Sequence, residues 1–467
     1  MFSDGRLRLG DIVLQMSIDG AQLFRDKPSD CWIYMFVIHN LSPKCCYKKQ
    51  FVIPGGFVPG PNHPKNIESF VFPGLYHITA LQKEGLSYYD AYRQMRVDHS
   101  WVYLAMETAN GVAMADLAGT VGHHGKYGCR RFCPLPGRRR PGDGHYYPMM
   151  QKPSNGYAIE GASHPNISFE SLAQFRQVTP QVYSENLDKL CSSSNHSQYI
   201  ANCLETGLVK PSILLGIPLT INSPGMFLVD IMHLLDLNDP DLFISLWQGK
   251  LKSYGADSSR DNWDWAVLRG ETWTQHGEMV ARCTPFLPIS FGRAPRDPAE
   301  KINSGYKVWE FSIWLYGLGP ALLRNILPDA YWRNYCMLVR GIRLAKQYSI
   351  SYDEMKELHR LLLTFVQDFK TLYVQRNPDR IHFVRQSIHV LTHLGPEIFR
   401  VGPLTCYAQW VMETLIGNLG QEIGSLVDPF TNIANCGVLR AQMVALYSLL
   451  LELVPPAARL SQNLPRF

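Results

Sequence analysis

The stretch METANGVAMADLAGTVGHHGKYGCRRFC, residues 106–133, gathers histidines, cysteines and arginines behind an Asn110-Gly111 pair. Cys129-x3-Cys133 with His123 or His124 upstream is compatible with zinc, which takes thiolate and imidazole ligands, although a closed site needs a fourth. Reduced core cysteines beside a structural histidine fit the same residues. Asp19, in SIDGAQL, is either a turn aspartate before Gly20 or a divalent-cation ligand at a strand end. Mg2+ takes one or two carboxylates with waters and phosphate oxygens, and a pair of such ions supports phosphodiester cleavage. Glu413, in CYAQWVMETLIGNLGQEIG, is such an acid projecting from a helix, or an ordinary acid of an amphipathic one.

Asp230-Ile-Met-His233 sets an acid and an imidazole one helical turn apart, as a hydrogen-bonded capping pair or as ligands. His382, His389 and His393 share a predicted helix face. The last two have the i,i+4 spacing of a zinc pair but lack the HExxH glutamate, so they read as structural histidines. GTVGHHGKY misses the phosphate-loop pattern, with Tyr127 where Ser or Thr is required, and no Gly-x-Ser-x-Gly elbow occurs. Lys126, Arg130, Arg131, Arg138, Arg139 and Arg140 form a basic run with no intervening acid. Such a run is a solvated loop or a phosphate-binding patch.

These residues need a frame. DIVLQMSIDGAQL alternates Ile12, Leu14, Met16 and Ile18 with Val13, Gln15, Ser17 and Asp19, the period of a strand. DCWIYMFVIHN and QFVIPGGFV are β-rich and separated by turn residues, which predicts an antiparallel meander. Residues 66–85 read as a helix that Pro73 should break or kink. WVYLAMETA follows as a strand ended by Asn110-Gly111; reached through a helical crossover, it should lie parallel to the first strand. Positions 19 and 110 would then meet at one sheet edge. Glu107, three residues back, would face the other side of the sheet, and Asp116 lies beyond the turn. Residues 134–215 are rich in Pro, Gly, Ser and Asn and read as irregular with one or two short helices. Beyond them the apolar spacing is helical.

The 467 residues are 46% hydrophobic and 18% charged, with a net charge of +5, an ordinary globular profile for two or three domains. Eleven cysteines without an apolar leader read as reduced thiols in an intracellular, soluble protein. No apolar run approaches a membrane span.

Taken together, SIDGAQLFRDKPSDCWIYMFVIHNL, QFVIPGGFVPGPNHPKNIESFVFPGL, GTVGHHGKYGCRRFC, VDIMHLLDLNDPDLFISLWQGKL, HFVRQSIHVLTHLGPEIFRVGPL and YAQWVMETLIGNLGQEI resemble the En/Spm-like (CACTA) DDE transposases of fungal type. The likeness is collinear from about residue 10 to 450. It implies an α/β fold: an RNase H-like mixed sheet core interrupted by a large, mainly α-helical insertion. The first part of the core would span 1–133, an irregular connection 134–215, the helical insertion 216–400, and helices returning the last acid 401–467. By the same resemblance Asp19 matches the first acid and Glu413 the last, holding Mg2+ or Mn2+. Asp230 and His233 match the family's Asp-x-x-His signature, and His124, Cys129 and Cys133 match its histidine-cysteine cluster, implying Zn2+.

The second acid falls in a Thr-Ala-Asp-Gly context, which here is Thr108-Ala109-Asn110-Gly111. A neutral carbonyl oxygen replaces a charge that two cations need. A first strand beginning near residue 11 also leaves no room for an amino-terminal DNA-binding module, which reads as a truncated copy. Two functions are expected: metal-dependent DNA cleavage and strand transfer at transposon ends, impaired at position 110, or a catalytically inactive nucleic-acid-binding relic. Transposon-end and target DNA, contacted through the basic run, are the implied partners, with a homo-oligomer, no membrane, and a nuclear location.

Overall fold

The computed structural model describes residues 7–22, 30–43, 45–48, 50–60, 62, 64–90, 93–154, 156–169, 179–221, 223–423 and 427–450. The expected helical run past residue 450 lies outside them. The chain divides into two compact units, one from residues 1–107, 213–221 and 410–467, the other from 108–212 and 222–409. The first of these divisions, at 107/108, lies within the last strand of the first unit's sheet.

In the first unit β1 (Ile12–Gln22), β2 (Asp30–Ile38) and β3 (Val52–Pro59) form the expected antiparallel meander. The helix α1 (Glu68–Glu84) and a hairpin of β4 (Leu86–Asp90) and β5 (Met95–Ser100) follow. β6 (Val102–Ala109) then completes a mixed four-stranded sheet of order β3-β2-β1-β6. With the other two pairings antiparallel, the parallel pair is β1 with β6, as the crossover requires. The hairpin was not legible, since its strands are short and half exposed.

Facing residues on an antiparallel ladder share a side of the sheet. Gln15, Ser17 and Asp19 oppose Val37, Met35 and Ile33. The latter three join Ala21, Cys31, Met412, Leu415, Leu419 and Ile433 in one apolar cluster. The helices Trp410–Glu422 and Pro429–Leu449 supply its last four members, so they cover the side that carries the polar stripe. The period-two alternation of β1 is real, yet both its sides are buried. Its polar members are accommodated by hydrogen bonds: Gln15 Nε2 donates to Ser17 Oγ (3.1 Å), and Gln15 Oε1 pairs with His39 Nε2 (2.8 Å). Burial pushes the His39 pKa down to about 4.

On the opposite side Tyr34 faces Gly56 across the β2–β3 ladder and its ring fills a slot made by glycines. A Cβ at Gly55 would lie 2.4 Å from that ring, and one at Gly74 of α1 would lie 2.8 Å from its hydroxyl. These glycines let α1 approach the sheet. α1 runs through Pro73 unbroken, burying Val71, Leu75, Ile78 and Gln82 at helical spacing. Gln82 then clamps Leu219 from both directions, donating to its carbonyl (3.0 Å) and accepting from its N–H (3.1 Å). The 213–221 segment is thereby held in the first unit.

The second unit is mainly helical. Its aromatic core includes the fully buried Trp247, Trp265, Tyr335, Phe365, Phe369, Tyr373 and Phe383. Wide π-type turns at Leu234–Asn238, Ser312–Leu318 and Lys370–Val374 interrupt what the sequence presents as continuous helices. Residues 134–215 contain the helices Pro180–Cys191 and His196–Thr206, as expected. Among the described residues no helix is long and apolar enough to cross a membrane.

Candidate metal centres

Asp19 lies within β1, opposite Ile33, three residues before the strand ends at Gln22. It is not the terminal residue the sequence suggests. Its carboxylate is 3% exposed and accepts from the Gly20 N–H at 2.8 Å. Glu413 sits in the first turn of Trp410–Glu422, where an acid is favoured by the helix dipole. The burial of Met412, Leu415 and Leu419 on the sheet sets the rotation of that helix, leaving Glu413 exposed. The outcome is convergence: Asp19 and Glu413 offer carboxylate oxygens within 4.8 Å of each other. Two carboxylates at this separation suit one hard divalent cation with waters completing its shell.

Asn110 belongs to the second unit and has a local structural role. It is the N-cap of the helix Gly111–Ala118, and its Oδ1 accepts from the N–H groups of Val112 (3.1 Å) and Ala113 (3.0 Å). An N-cap takes Asp or Asn equally well, so the fold does not itself select against an acid there. Glu107, in β6, is fully buried, and neither carboxylate oxygen has a hydrogen-bond partner. Burial drives its pKa well above the ordinary carboxylate range, so it is held as a neutral acid. A neutral carboxyl is a poor substitute for a metal-binding aspartate.

Asp230 and His233 form the capping pair that their spacing allows. Asp230 is fully buried and caps the helical turn Ile231–His233. It accepts from the N–H groups of Met232 (3.2 Å), His233 (2.9 Å) and Gln409 (2.8 Å), and lies 2.6 Å from His233 Nδ1. Burial alone would raise the Asp230 pKa, but the His233 hydrogen bond and charge outweigh it and the net shift is downward. The ionised carboxylate can only accept, so the facing Nδ1 of His233 carries a proton.

The cysteine cluster is assembled differently from the expectation. His124 stacks on His145, with ring centroids 3.9 Å apart, and packs against His123 and Tyr147. Cys129 instead meets His389 and His393, whose ligand atoms and its own lie within 4.8 Å of one another. The Cys129 Sγ is 3.5 Å from His393 Nε2, which is 3.1 Å from His389 Nε2. The Cys133 thiol neighbours that of Cys129 without belonging to this group of mutually close ligand atoms. Burial acts to raise the Cys129 pKa, yet the Cys133 hydrogen bond and the two imidazoles hold it well below that of an ordinary thiol. Cys133 is driven well above it, by the same hydrogen bond and by burial. The three histidines grouped by sequence do not share a helix. His382 lies in the 3-10 segment Pro378–Phe383 with its Nε2 2.7 Å from the Lys252 carbonyl oxygen, whereas His389 and His393 lie on the later turns Gln386–Val390 and Leu391–His393. The signal was present: a Cys-x3-Cys and a His-x3-His, two pairs of possible ligands separated by more than half the chain.

The basic run is not a free patch. Arg138 is fully buried and spends five hydrogen bonds on the carbonyls of Met149, Met150, Ala162, His164 and Pro165. Arg131 pairs with the buried Glu397 (3.1 Å). The Arg140 guanidinium stacks 3.5 Å from the Tyr254 ring centre and faces Asp143, and Arg139 lies over Tyr146 and donates to the Glu160 carbonyl. Arg130 is half-buried near Asp230, and Lys126 lies 5.5 Å from the Tyr127 ring centre. Arg138 is therefore withdrawn from any role on phosphate, and the others are largely committed within the fold. A basic run without acids in sequence found its acids and carbonyls in space.

No protein-family model matches the chain, and no curated protein matches it.

Proposed function

We propose that this is a transposase-derived protein whose first unit binds a divalent cation through Asp19 and Glu413, on an RNase H-like core, for phosphodiester cleavage and strand transfer on DNA. The observation that carries the reading is the convergence of these two carboxylates from opposite ends of the chain, on one side of a mixed sheet. The resemblance singles out the same two residues. In this chemistry the cation would supply charge stabilisation and an activated water or hydroxyl. Asp19, buried and oriented by the Gly20 N–H, would be the fixed ligand, and Glu413, exposed on its helix, the adjustable one.

The resemblance assigns the second acid to position 110, where this chain has an uncharged cap. This favours weakened cation binding and makes a non-catalytic DNA-binding descendant the second reading. The test is Mn2+ titration by calorimetry of the zinc-replete protein beside Asp19→Asn and Glu413→Gln. Each variant is expected to weaken binding at least tenfold, which is about 1.4 kcal/mol. Equal binding by all three proteins would exclude the carboxylate pair as the site. Cleavage assays on a DNA hairpin in Mn2+ then separate the active reading from the inactive one.

A further inference from the structure

We infer that Cys129, Cys133, His389 and His393 form a closed, structural Cys2His2 zinc site in the second unit. Tetrahedral zinc has ligand bonds of about 2.0–2.1 Å to nitrogen and about 2.3 Å to sulfur, which places its nitrogens about 3.3 Å apart and sulfur about 3.6 Å from nitrogen. The corresponding separations here are 3.1 Å and 3.5 Å. The two imidazole rings stand at 86° to each other with centroids 4.8 Å apart, so both Nε2 atoms reach one point from different directions.

Local structure aims each ligand. The Phe132 N–H donates to the Cys129 carbonyl (2.9 Å), and Phe132 takes a left-handed φ of 54°, which turns the loop between the two cysteines; Cys129, His389 and His393 already converge, and Cys133 would complete the set. On the other side, Gln386–Val390 passes directly into the tight turn Leu391–His393, which brings the i,i+4 histidines together. Cys129 is 4% exposed and His389 1%, which leaves no path for a substrate to this thiol and argues against a nucleophilic role. Thiolate with imidazole selects a borderline-soft ion over Mg2+ or Ca2+, and four protein ligands leave no open position for catalysis.

The site would clasp the 128–133 loop to the 386–393 turns. The Arg131–Glu397 ion pair joins the same two segments, and Glu397 also accepts from the Val229 N–H (2.8 Å) and the Tyr407 hydroxyl (3.0 Å). Because such a site does not exist in the unfolded chain, metal affinity there is folding stability.

Two measurements on the full chain test this. Zinc content, after expression in zinc-replete medium and exhaustive dialysis, is expected to be one ion per chain, falling at least tenfold in Cys133→Ser and His393→Ala and unchanged in His124→Ala. Cobalt added to the metal-stripped wild type is expected to give the ligand-field and thiolate charge-transfer bands of a tetrahedral S2N2 centre, a readout independent of variant folding. Wild type without zinc and without that cobalt spectrum would overturn the site, as would zinc retained in both ligand variants. Loss of zinc in His124→Ala with retention in His393→Ala would move the site to the ligand set that sequence alone suggested. None of these results touches Asp19 or Glu413.

Discussion

Arg138 decides between two uses of the same side chain. As part of a basic patch it would contact phosphate; as placed in the fold, its five N–H donors meet five carbonyls between 2.7 and 3.1 Å. Burial lowers its pKa to about 10, which still leaves it protonated at neutral pH. The informative substitution is Arg138→Lys, which keeps the charge but has three donors and no planar fork. At least two of the five carbonyls must lose their partner. Each hydrogen bond to a charged group contributes about 1.5–3 kcal/mol, so the expected loss is about 3–5 kcal/mol, limited by how far the 149–165 segment can open to water. Urea denaturation at constant m-value measures it, and limited proteolysis is expected to cut first within 149–165. If the structural role holds, the salt dependence of any DNA affinity stays the same in the folded fraction, whereas loss of a phosphate contact would lower the log–log slope by about one. Stability within about 0.5 kcal/mol of wild type, together with a lower slope, would refute the structural assignment.

Glu107 gives a pH signature. Its folded pKa is raised above 4.5, so both states are protonated in acid and the unfolded chain ionises first as pH rises. Stability from this group is therefore lost progressively above about pH 4.5. Glu107→Gln is expected to match wild type near pH 4 and exceed it at neutral pH; parallel pH–stability curves would show the carboxyl is not neutral. At position 110, Asn110→Ala is expected to cost about 1 kcal/mol through the lost cap. Asn110→Asp should fold as well as wild type or better, by up to about 1 kcal/mol from the helix dipole. Melting of Asn110→Asp well below wild type would contradict the cap geometry.

The meander, the crossover and the parallel return strand were legible because alternation in β1 and turn residues between strands leave few topologies. The pairing of Asp19 with Glu413 was also legible, though only through resemblance, since nothing local links residue 19 to a helix at 413. The legible features end where partners come from distant sequence. His389 and His393 look structural until Cys129 is beside them, and Arg138 looks solvated until the 149–165 carbonyls surround it. Asn110 looked like a damaged ligand, and its capping bonds show what holds an asparagine there regardless. The π-type turns were invisible because a widened turn keeps the apolar spacing of an ordinary helix on either side.

The first unit is closed by residues from the far end of the chain: Met412, Leu415, Leu419 and Ile433 cover Ile33, Met35 and Val37 of β2. On the ribosome that side of the sheet emerges early and waits for its lid while the second unit is made. At about 5–20 residues per second, the wait is on the order of half a minute. Throughout it an apolar β surface with unsatisfied neighbours is presented to the cytosol, the circumstance in which nascent chains aggregate or recruit holdases. Yield of this protein should thus depend on translation speed and chaperone supply more than on the stability of the finished fold, and slowing elongation late in the message should harm it more than slowing it early.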